Sequence, residues 1–377
     1  MLDYDTLKII WWALIGVLLI GFALTSGTDM AVSVLSLRAG RDLKERGAIL
    51  GTIAPHWDGN QVWLITAGGA IFAAWPEIYA AAFSGLYWAM LLLLFTIWMR
   101  PLAFDYRSHI SSERWQKGWD IALLVGSLVP MLICGVAFGN LLQGLPFWQD
   151  ADLRWHYEGS LLTALLPLLN PFALLCGLVS VLMLLTQGSL WIAMRTEEPI
   201  ASRGLKWAPR LAIAALALFG ICGIWAWTFD ALSLVSRAPE GSFSLVTSKQ
   251  VEVVAHGLFA NYESHPATMA IPALAAIAIL ASAFHAWKGR AARAFVENAL
   301  GIACVIATPA VGLFPFLMPS SMDPASSLTL WDATSSQLTL TIMMFAVVIF
   351  VPLALGYTIF AYRRMWRRAP ADDAQAH

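Results

Sequence analysis

Long apolar stretches separated by short polar ones run along almost the whole chain. Eight of them are long enough for a membrane-spanning helix, which needs about 20 mostly apolar residues. They are approximately residues 9–36, 78–99, 119–142, 162–192, 208–229, 267–287, 294–318 and 334–362. A further stretch, 48–75, is interrupted by polar side chains. The pattern therefore predicts a protein that crosses a membrane many times.

The positively charged residues indicate how many of these stretches cross the membrane. Lys and Arg near membrane spans stay on the cytoplasmic side, and five clusters hold 19 of the 23 in this chain. The clusters are Arg38–Arg46, Arg100–Lys117, Arg195–Arg210, Lys288–Arg293 and Arg363–Arg368. Between the first two clusters, the apolar stretch 78–99 crosses the membrane once. The two clusters therefore lie on the same side only if residues 48–75 also cross. We therefore predict nine transmembrane helices, with the N-terminus outside and the C-terminus in the cytoplasm.

The composition agrees with an all-α membrane protein. Of the 377 residues, 59% are hydrophobic and 12% are charged, whereas a soluble domain has about 25% charged residues. The net charge of -1 provides no basic surface for nucleic acid, so we expect no nucleic-acid partner. Residues 1–365 are predicted to form one polytopic domain, and residues 366–377 a disordered cytoplasmic tail.

The polar interruption is the segment APHWDGNQVWL. In a helix, which turns 100° per residue, His56 and Asn60 share one face, and Trp57 and Gln61 share a second. Asp58 points to a third side. A helix that is polar on several sides cannot face lipid, because each unsatisfied polar group would cost several kcal/mol. We therefore expect other helices or a partner protein to enclose this span. Within it, His56, Asn60 and Gln61 would hold water and satisfy buried polar groups.

Three carboxylates are candidates for moving protons. If the motif continues a helix from the preceding basic cluster, Asp58 lies about 18 Å along its axis, near the middle of a ~30 Å hydrocarbon layer. Asp29 lies closer to the cytoplasmic boundary, and Asp105 lies in the inner loop RPLAFDYRS. Intramembrane carboxylates are usually functional. The alternatives are that Asp58 is structural and that Asp105 forms an ordinary salt bridge beside Arg100 and Arg107.

The histidines limit the redox cofactors that the chain could hold. Of seven histidines, His56 alone is predicted to lie deep in the membrane, whereas an enzyme with several haems needs several axial ligands, usually His or Met. The sequence has no P-loop, GxSxG, HExxH or CxxCH motif. The residues therefore indicate a proton pathway without a catalytic or metal centre. A stand-alone proton-coupled transporter is the alternative, although the sequence shows no pair of similar halves of the kind that forms the internal repeats of many transporters.

Several long segments resemble subunit II of the cytochrome bd-type quinol oxidases. Besides the motif segment, IIWWALIGVLLIGFALT, RPLAFDYRS, FPFLMPSS and SLTLWDATSSQLTL follow in the family's order, and the resemblance covers nearly the whole chain. It implies two four-helix bundles plus one additional helix, in the bacterial cytoplasmic membrane. The implied complex oxidises quinol, reduces oxygen to water and generates a proton-motive force without pumping.

The resemblance also implies a division of labour between subunits. The haems, two b-type and one d-type or b-type, would lie in the haem-bearing subunit I, while this chain supports assembly. The family allows a small single-span accessory subunit, with membrane lipid around the complex. The implied roles are proton transfer for Asp29, Asp58 and Asp105, with His56 beside them, an oxygen route at Trp63, and a structural quinone at Trp57 and Arg100.

One segment departs from the family's pattern. TSGTDM stands where relatives often have TDGFDM, so Ser26 replaces an acid and Thr28 replaces an aromatic residue. Asp29 is retained. The missing acid weakens any proton route through position 26, although the two hydroxyl groups could still orient water.

Overall fold

Helices make up most of the computed structural model, which describes residues 3–150, 152, 154–158, 165–237, 248–366 and 368–369. The α-helices are α1 (Tyr4–Leu24), α2 (Ser26–Ala39), α3 (Leu43–Gly51), α4 (Trp57–Ala74), α5 (Pro76–Gly85), α6 (Tyr87–Tyr106), α7 (Glu113–Gln143), α8 (Pro171–Arg195), α9 (Ile200–Ala226), α10 (Ala260–Ser264), α11 (Ala270–Trp287), α12 (Ala291–Leu313) and α13 (Gln337–Arg364). Three antiparallel strand pairs join β1 (Phe147–Gln149) to β2 (Trp155–Tyr157), β3 (Asp230–Ser236) to β4 (Gln250–Ala255), and β5 (Phe316–Met318) to β6 (Leu328–Thr329).

Eight helical stretches among the described residues are long and apolar enough to cross a membrane. They are Tyr4–Ala39, Tyr87–Tyr106, Glu113–Gln143, Pro171–Arg195, Ile200–Ala226, Pro266–Trp287, Ala291–Leu313 and Gln337–Arg364. The prediction of a helical, multi-pass membrane protein is therefore confirmed. The predicted ninth span corresponds to α4, which has 18 residues and is not among these eight.

The polar motif interrupts the helix that the sequence suggested. Helix α3 ends at Gly51, and α4 begins only at Trp57, with His56 as its N-cap residue. Pro55 lies in the turn between them; it has no backbone N–H, and it disfavours a helical conformation in the preceding residue. The depth of about 18 Å for Asp58 assumed a continuous helix, and the structure does not have one between Arg46 and Asp58.

Helix α8 lies at the centre of the packed helices. Within the most apolar 18 residues of each span, 67% of α8 is buried, compared with 6% of α13. Glycines allow its neighbours to approach closely: a Cβ atom on Gly135 of α7 would lie 2.5 Å from the carbonyl oxygen of Cys176. A Cβ atom on Gly188 would lie 2.6 Å from Cβ of Ala31 in α2. Small residues therefore hold α2 and α7 against α8, as in many membrane proteins.

The segment between α9 and α11 contains the β3–β4 hairpin and α10. Nζ of Lys249 lies 2.9 Å from Oδ2 of Asp332, and both side chains are almost fully buried. This ion pair connects the segment that leads into β4 to the loop that precedes α13. Residues 238–247, between the two strands, lie outside the described residues.

The chain beyond α13 returns to the end of α8. The backbone N–H of Ala369 donates to the carbonyl oxygen of Arg195 at 2.8 Å, and that of Glu197 donates to the carbonyl oxygen of Ala369 at 3.2 Å. Part of the predicted tail is thus hydrogen-bonded to the protein, while residues 370–377 lie outside the described residues.

Candidate functional site

A buried cluster of polar side chains joins α2, α4 and α13 around Asp29. Asp29 is 1% exposed, and Nδ2 of Asn60 donates to its Oδ2 at 2.6 Å. The hydroxyl oxygen of Tyr362 lies 2.7 Å from Nδ2 and 3.0 Å from Oδ1 of Asn60. Asn60 is therefore the connection between the carboxyl group and the phenol.

His56 belongs to the same cluster. Its Nδ1 atom lies 3.7 Å from Oδ1 of Asp29 and 3.4 Å from the hydroxyl oxygen of Tyr362. The imidazole stacks on the Tyr362 ring at 4.5 Å between centroids and meets the edge of Trp191 at 5.5 Å. Three side chains that can bind a proton are thus connected within one buried cluster.

Arg100 is fully buried and close enough to Asp29 to interact with it electrostatically. The two opposite charges attract each other. Nε, Nη1 and Nη2 of Arg100 have no hydrogen-bond partner among the described residues. The guanidinium carbon lies 5.9 Å from the centroid of the Trp57 ring, which stacks on Phe104 at 4.9 Å. The fold therefore brings Trp57 and Arg100 together, and the N–H groups of Arg100 could donate to an oxygen-bearing ligand.

The other two predicted proton carriers lie on the surface of this chain. Asp58 occupies the first turn of α4, and Asp105 the last turn of α6 rather than a loop; both are exposed. Within the described part of the chain, neither carboxylate forms a hydrogen bond or an ion pair. The fold therefore does not join them to the cluster at Asp29, and the salt bridge that was the alternative role for Asp105 is absent from these residues.

The acid that Arg107 contacts is Asp120, which the sequence reasoning missed. Oδ1 of Asp120 lies 2.6 Å from Nε of Arg107, and Oδ2 lies 3.0 Å from Nη1 of Arg46. The Asp120 side chain is only 2% exposed. This buried group ties α3 to the end of α6 and to α7. Its position at the very start of the predicted span 119–142 was the feature of the sequence that could have indicated a buried ion pair.

Trp63 packs against α1, and its neighbour in the chain lines an apolar cavity. A Cβ atom on Gly21 of α1 would lie 2.7 Å from Cε3 of Trp63, so only glycine leaves room for this indole. The neighbouring Leu64 lines a cavity of about 420 Å³ between α1, α2, α7, α8, α9 and α12. Gln61 is partly buried, and its Nε2 atom has no partner among the described residues.

The described residues contain no group of three or more His, Cys, Asp and Glu side chains arranged to hold a metal ion. The four cysteines are free thiols.

The chain is similar to proteins of one family over almost all its length. The model of the family described as "Cytochrome bd terminal oxidase subunit II" matches residues 7–365. The Escherichia coli K12 "Cytochrome bd-I ubiquinol oxidase subunit 2" is 47% identical, covering 100% of this chain and 98% of the relative. The Haemophilus influenzae "Probable cytochrome oxidase subunit 2" is 46% identical, covering 99% and 97%.

A solved structure has the same fold. It is the bd oxidase from Geobacillus thermodenitrificans, which matches with a TM-score of 0.69 and covers 95% of this chain and 98% of the matched chain. The sequence identity is 12%, so this comparison supports the fold alone.

Proposed function

The chain belongs to the family of subunit II of the cytochrome bd terminal oxidases, and from this membership we propose how it serves a quinol:oxygen oxidoreductase. The complex oxidises quinol, reduces oxygen to water and takes protons from the cytoplasm, which generates a proton-motive force without pumping. This chain supports assembly and lines routes for protons and oxygen. The relative in Escherichia coli is a subunit of a ubiquinol oxidase.

The partner subunit carries the haems in this proposal, two b-type and one d-type or b-type. His56, the one histidine predicted at depth, lies between Tyr362 and Trp191, and its Nδ1 faces Asp29. Nδ1 is therefore engaged within its own chain, whereas Nε2 has no partner among the described residues. The haems supply the electron transfer and oxygen chemistry, and the side chains of this subunit act on protons around them.

One observation carries the proton route: Asn60 connects the buried Asp29 to Tyr362, with His56 beside them. Buried, connected groups of this kind are typical of proton relays in membrane proteins. We propose that Asp29 and His56 hold protons within this subunit, while Asn60 and Gln61 satisfy polar groups and hold water. The buried hydroxyl of Ser26 has no partner among the described residues. This supports a water site at position 26, where relatives often have an acid.

Asp58 and Asp105 would complete this route at the surface of the subunit. Asp105 lies at the predicted cytoplasmic end of α6, where water can deliver a proton. Asp58 is exposed on α4, where it can pass a proton to the partner subunit. Their exposure on the isolated chain supports roles at the entry and exit rather than inside the cluster.

A structural quinone fits the site formed by Trp57 and Arg100. A quinone offers carbonyl oxygens that accept hydrogen bonds and a flat ring that packs against aromatic side chains. The buried guanidinium of Arg100 offers the donors, and the stacked rings of Trp57 and Phe104 offer a flat apolar surface. This quinone would stabilise the subunit rather than react.

The apolar cavity beside Trp63 supports a route for oxygen. Oxygen is an apolar molecule, and the walls of the cavity of about 420 Å³ are almost wholly apolar. Trp63 lies beside Leu64, one of the lining residues, and its indole packs against Gly21. We propose that Trp63 borders the path by which oxygen reaches the partner subunit.

The proposed arrangement in the bacterial cytoplasmic membrane has nine spans, with α4 as the ninth, the N-terminus outside and the C-terminus in the cytoplasm. Two four-helix bundles and one additional helix form a single domain of residues 1–365. The haem-bearing subunit I is the main partner, and a small single-span subunit can join the complex. The many exposed apolar side chains of α13 suit contact with lipid or with such a partner.

Purification in mild detergent tests the proposed function. A haem-bearing partner should copurify with this chain, and the complex should oxidise quinol with oxygen consumption. The chain expressed alone should show no haem spectrum. A stoichiometric low-spin haem in the isolated chain would overturn the division between subunits, and a stable chain without any partner would favour a stand-alone transporter.

A further inference from the structure

A groove runs between α9 and α11 at the end of these helices that carries basic clusters. It has a volume of about 870 Å³. Residues that line it include Lys206, Pro209, Arg210, Ile213, Ala217 and Trp287. By the distribution of Lys and Arg, this end of the helices faces the cytoplasm. None of these side chains has a part in the proton, oxygen or quinone sites described above.

The groove changes from charged to apolar along α9. Lys206 and Arg210 lie exposed near its cytoplasmic end, and Ile213 and Ala217 line its continuation towards the membrane. At 1.5 Å per residue, Arg210 and Ala217 are about 10 Å apart along the helix axis. This is most of the ~15 Å thickness of one hydrocarbon leaflet. A phospholipid has the same succession of a charged headgroup and an apolar chain.

The two cations have no partner within the described part of the chain. Lys206 and Arg210 are four residues apart, so they lie on one face of α9 and repel each other. Neither forms an ion pair or a hydrogen bond among the described residues. Arg203, one turn earlier, differs because it pairs with Glu45 at 2.6 Å. The acids Glu197 and Glu198 line the neighbouring cleft rather than this groove. An external anion between Lys206 and Arg210 would offset their repulsion.

Two further features suit a lipid. Pro209 has no backbone N–H to donate to the carbonyl oxygen of Leu205, and both residues line the groove. That carbonyl oxygen can accept from a headgroup hydroxyl. Trp287 lies 72% exposed at the rim, with Nζ of Lys288 4.8 Å from its ring. Trp and Lys are the side chains expected at the level of lipid headgroups.

We propose that this groove is a binding site for an anionic phospholipid of the cytoplasmic leaflet. The phosphodiester lies between Lys206 and Arg210, and one acyl chain follows Ile213 and Ala217. The charge complementarity at one end and the apolar wall at the other favour a lipid over free phosphate, which would gain only the charged end.

The test uses the complete oxidase complex, depleted of lipid in detergent. Dioleoyl phosphatidylglycerol or dioleoyl phosphatidylcholine is titrated in, and bound lipid is counted by native mass spectrometry. The double variant Lys206→Gln/Arg210→Gln removes both cations. The control Lys44→Gln/Arg114→Gln removes two exposed cations elsewhere on the same predicted side. Haem spectra and Tm values of both variants establish that they are folded.

We expect preferential binding of phosphatidylglycerol, weakened about 30-fold by the double variant and unchanged in the control, because each Lys or Arg near an anionic headgroup contributes roughly a factor of five. A phosphatidylglycerol with a photoreactive acyl chain should crosslink near Ile213 and Ala217, and millimolar inorganic phosphate should not displace it. Equal binding of the two lipids, wild-type affinity in the folded double variant, displacement by phosphate, or acyl crosslinks elsewhere would each overturn the site.

Discussion

Nδ2 of Asn60 lies between two groups from distant parts of the chain, 2.6 Å from Oδ2 of Asp29 and 2.7 Å from the hydroxyl oxygen of Tyr362. A side-chain amide has two N–H groups, so both are engaged. Asn60 therefore links the buried carboxyl of α2 to the last helix, and each member of this link can be altered separately.

Asp29→Asn removes the titratable group but keeps the size of the side chain. If protons pass through Asp29, the variant complex should assemble with its haems and lose at least about tenfold in turnover, since a missing relay raises the barrier to proton transfer by more than about 1.4 kcal/mol. Oxygen consumption with quinol measures turnover, and the optical spectrum measures assembly. Asn60→Ala is the structural comparison, because it leaves a buried acceptor unpaired at a cost of about 1–3 kcal/mol. Full turnover in an assembled Asp29→Asn complex would contradict the role.

Tyr362→Phe removes one hydroxyl and retains the ring that stacks on His56. The loss of its hydrogen bonds to Asn60 should lower the free energy of unfolding by about 1 kcal/mol, which thermal denaturation of the complex can measure. Tyr357→Phe, on the exposed side of the same helix, is the matched control. If Tyr362→Phe and Tyr357→Phe have equal Tm values, the hydrogen bonds at Tyr362 do not stabilise the complex.

Asp58→Asn distinguishes a proton relay from a structural role. Asp58 is exposed on this chain and unpartnered among the described residues. We therefore expect the variant to assemble with normal haem content and to lose most quinol oxidase turnover, while quinol still reduces the haems. A structural Asp58 would give the opposite pattern, with a mild Asp58→Asn and an Asp58→Leu that fails to assemble because its hydrogen-bond partners in subunit I are left unpaired.

Arg100→Gln tests the structural quinone. Gln keeps one N–H donor group but lacks the charge and the planar fork of donors. We expect the purified variant complex to retain less than about a tenth of the wild-type quinone, a loss of roughly 1.4 kcal/mol in binding, measured by solvent extraction and chromatography. Arg114→Gln, which removes an exposed charge, should retain the wild-type amount. Unchanged quinone content in Arg100→Gln would place any bound quinone elsewhere.

The ion pair between Glu45 and Arg203 predicts a pH dependence of stability. The hydrogen bond from Nη2 of Arg203 to Oε1 of Glu45, at 2.6 Å, lowers the pKa of Glu45 from its usual value of 4.5. A lowered pKa in the folded state means that the stabilisation is present above the pKa of the unfolded chain. It is lost as the pH falls through the folded pKa.

Glu45→Gln should therefore destabilise the complex by about 1 kcal/mol at neutral pH, with a smaller difference from wild type below about pH 4. Thermal denaturation at several pH values measures this difference. Glu113→Gln, which removes an exposed acid paired with Lys117, should change Tm less. A difference for Glu45→Gln that grows on acidification would contradict the assigned sign.

The sequence by itself determined the class of protein and its family. Apolar stretches of about 20 residues and basic clusters at their ends are local features, and their length matches the hydrocarbon thickness without knowledge of helix packing. The polar motif also indicated burial correctly for His56 and Asn60, which are 8% and 2% exposed. A polar side chain inside a span must find a partner whichever helix supplies it.

Only the tertiary structure decided which partner each polar group finds. Helical periodicity gives the face on which Asn60 lies, but not that Tyr362, 302 positions later, meets it there. In the same way, Arg107 contacts Asp120 of the next helix rather than the nearby Asp105. Asp58 lies about 200° around α4 from His56, so it remains exposed when the face of His56 and Asn60 packs against α2 and α13. These outcomes depend on how the helices pack against one another, which is a property of packed surfaces and not of any single stretch of sequence.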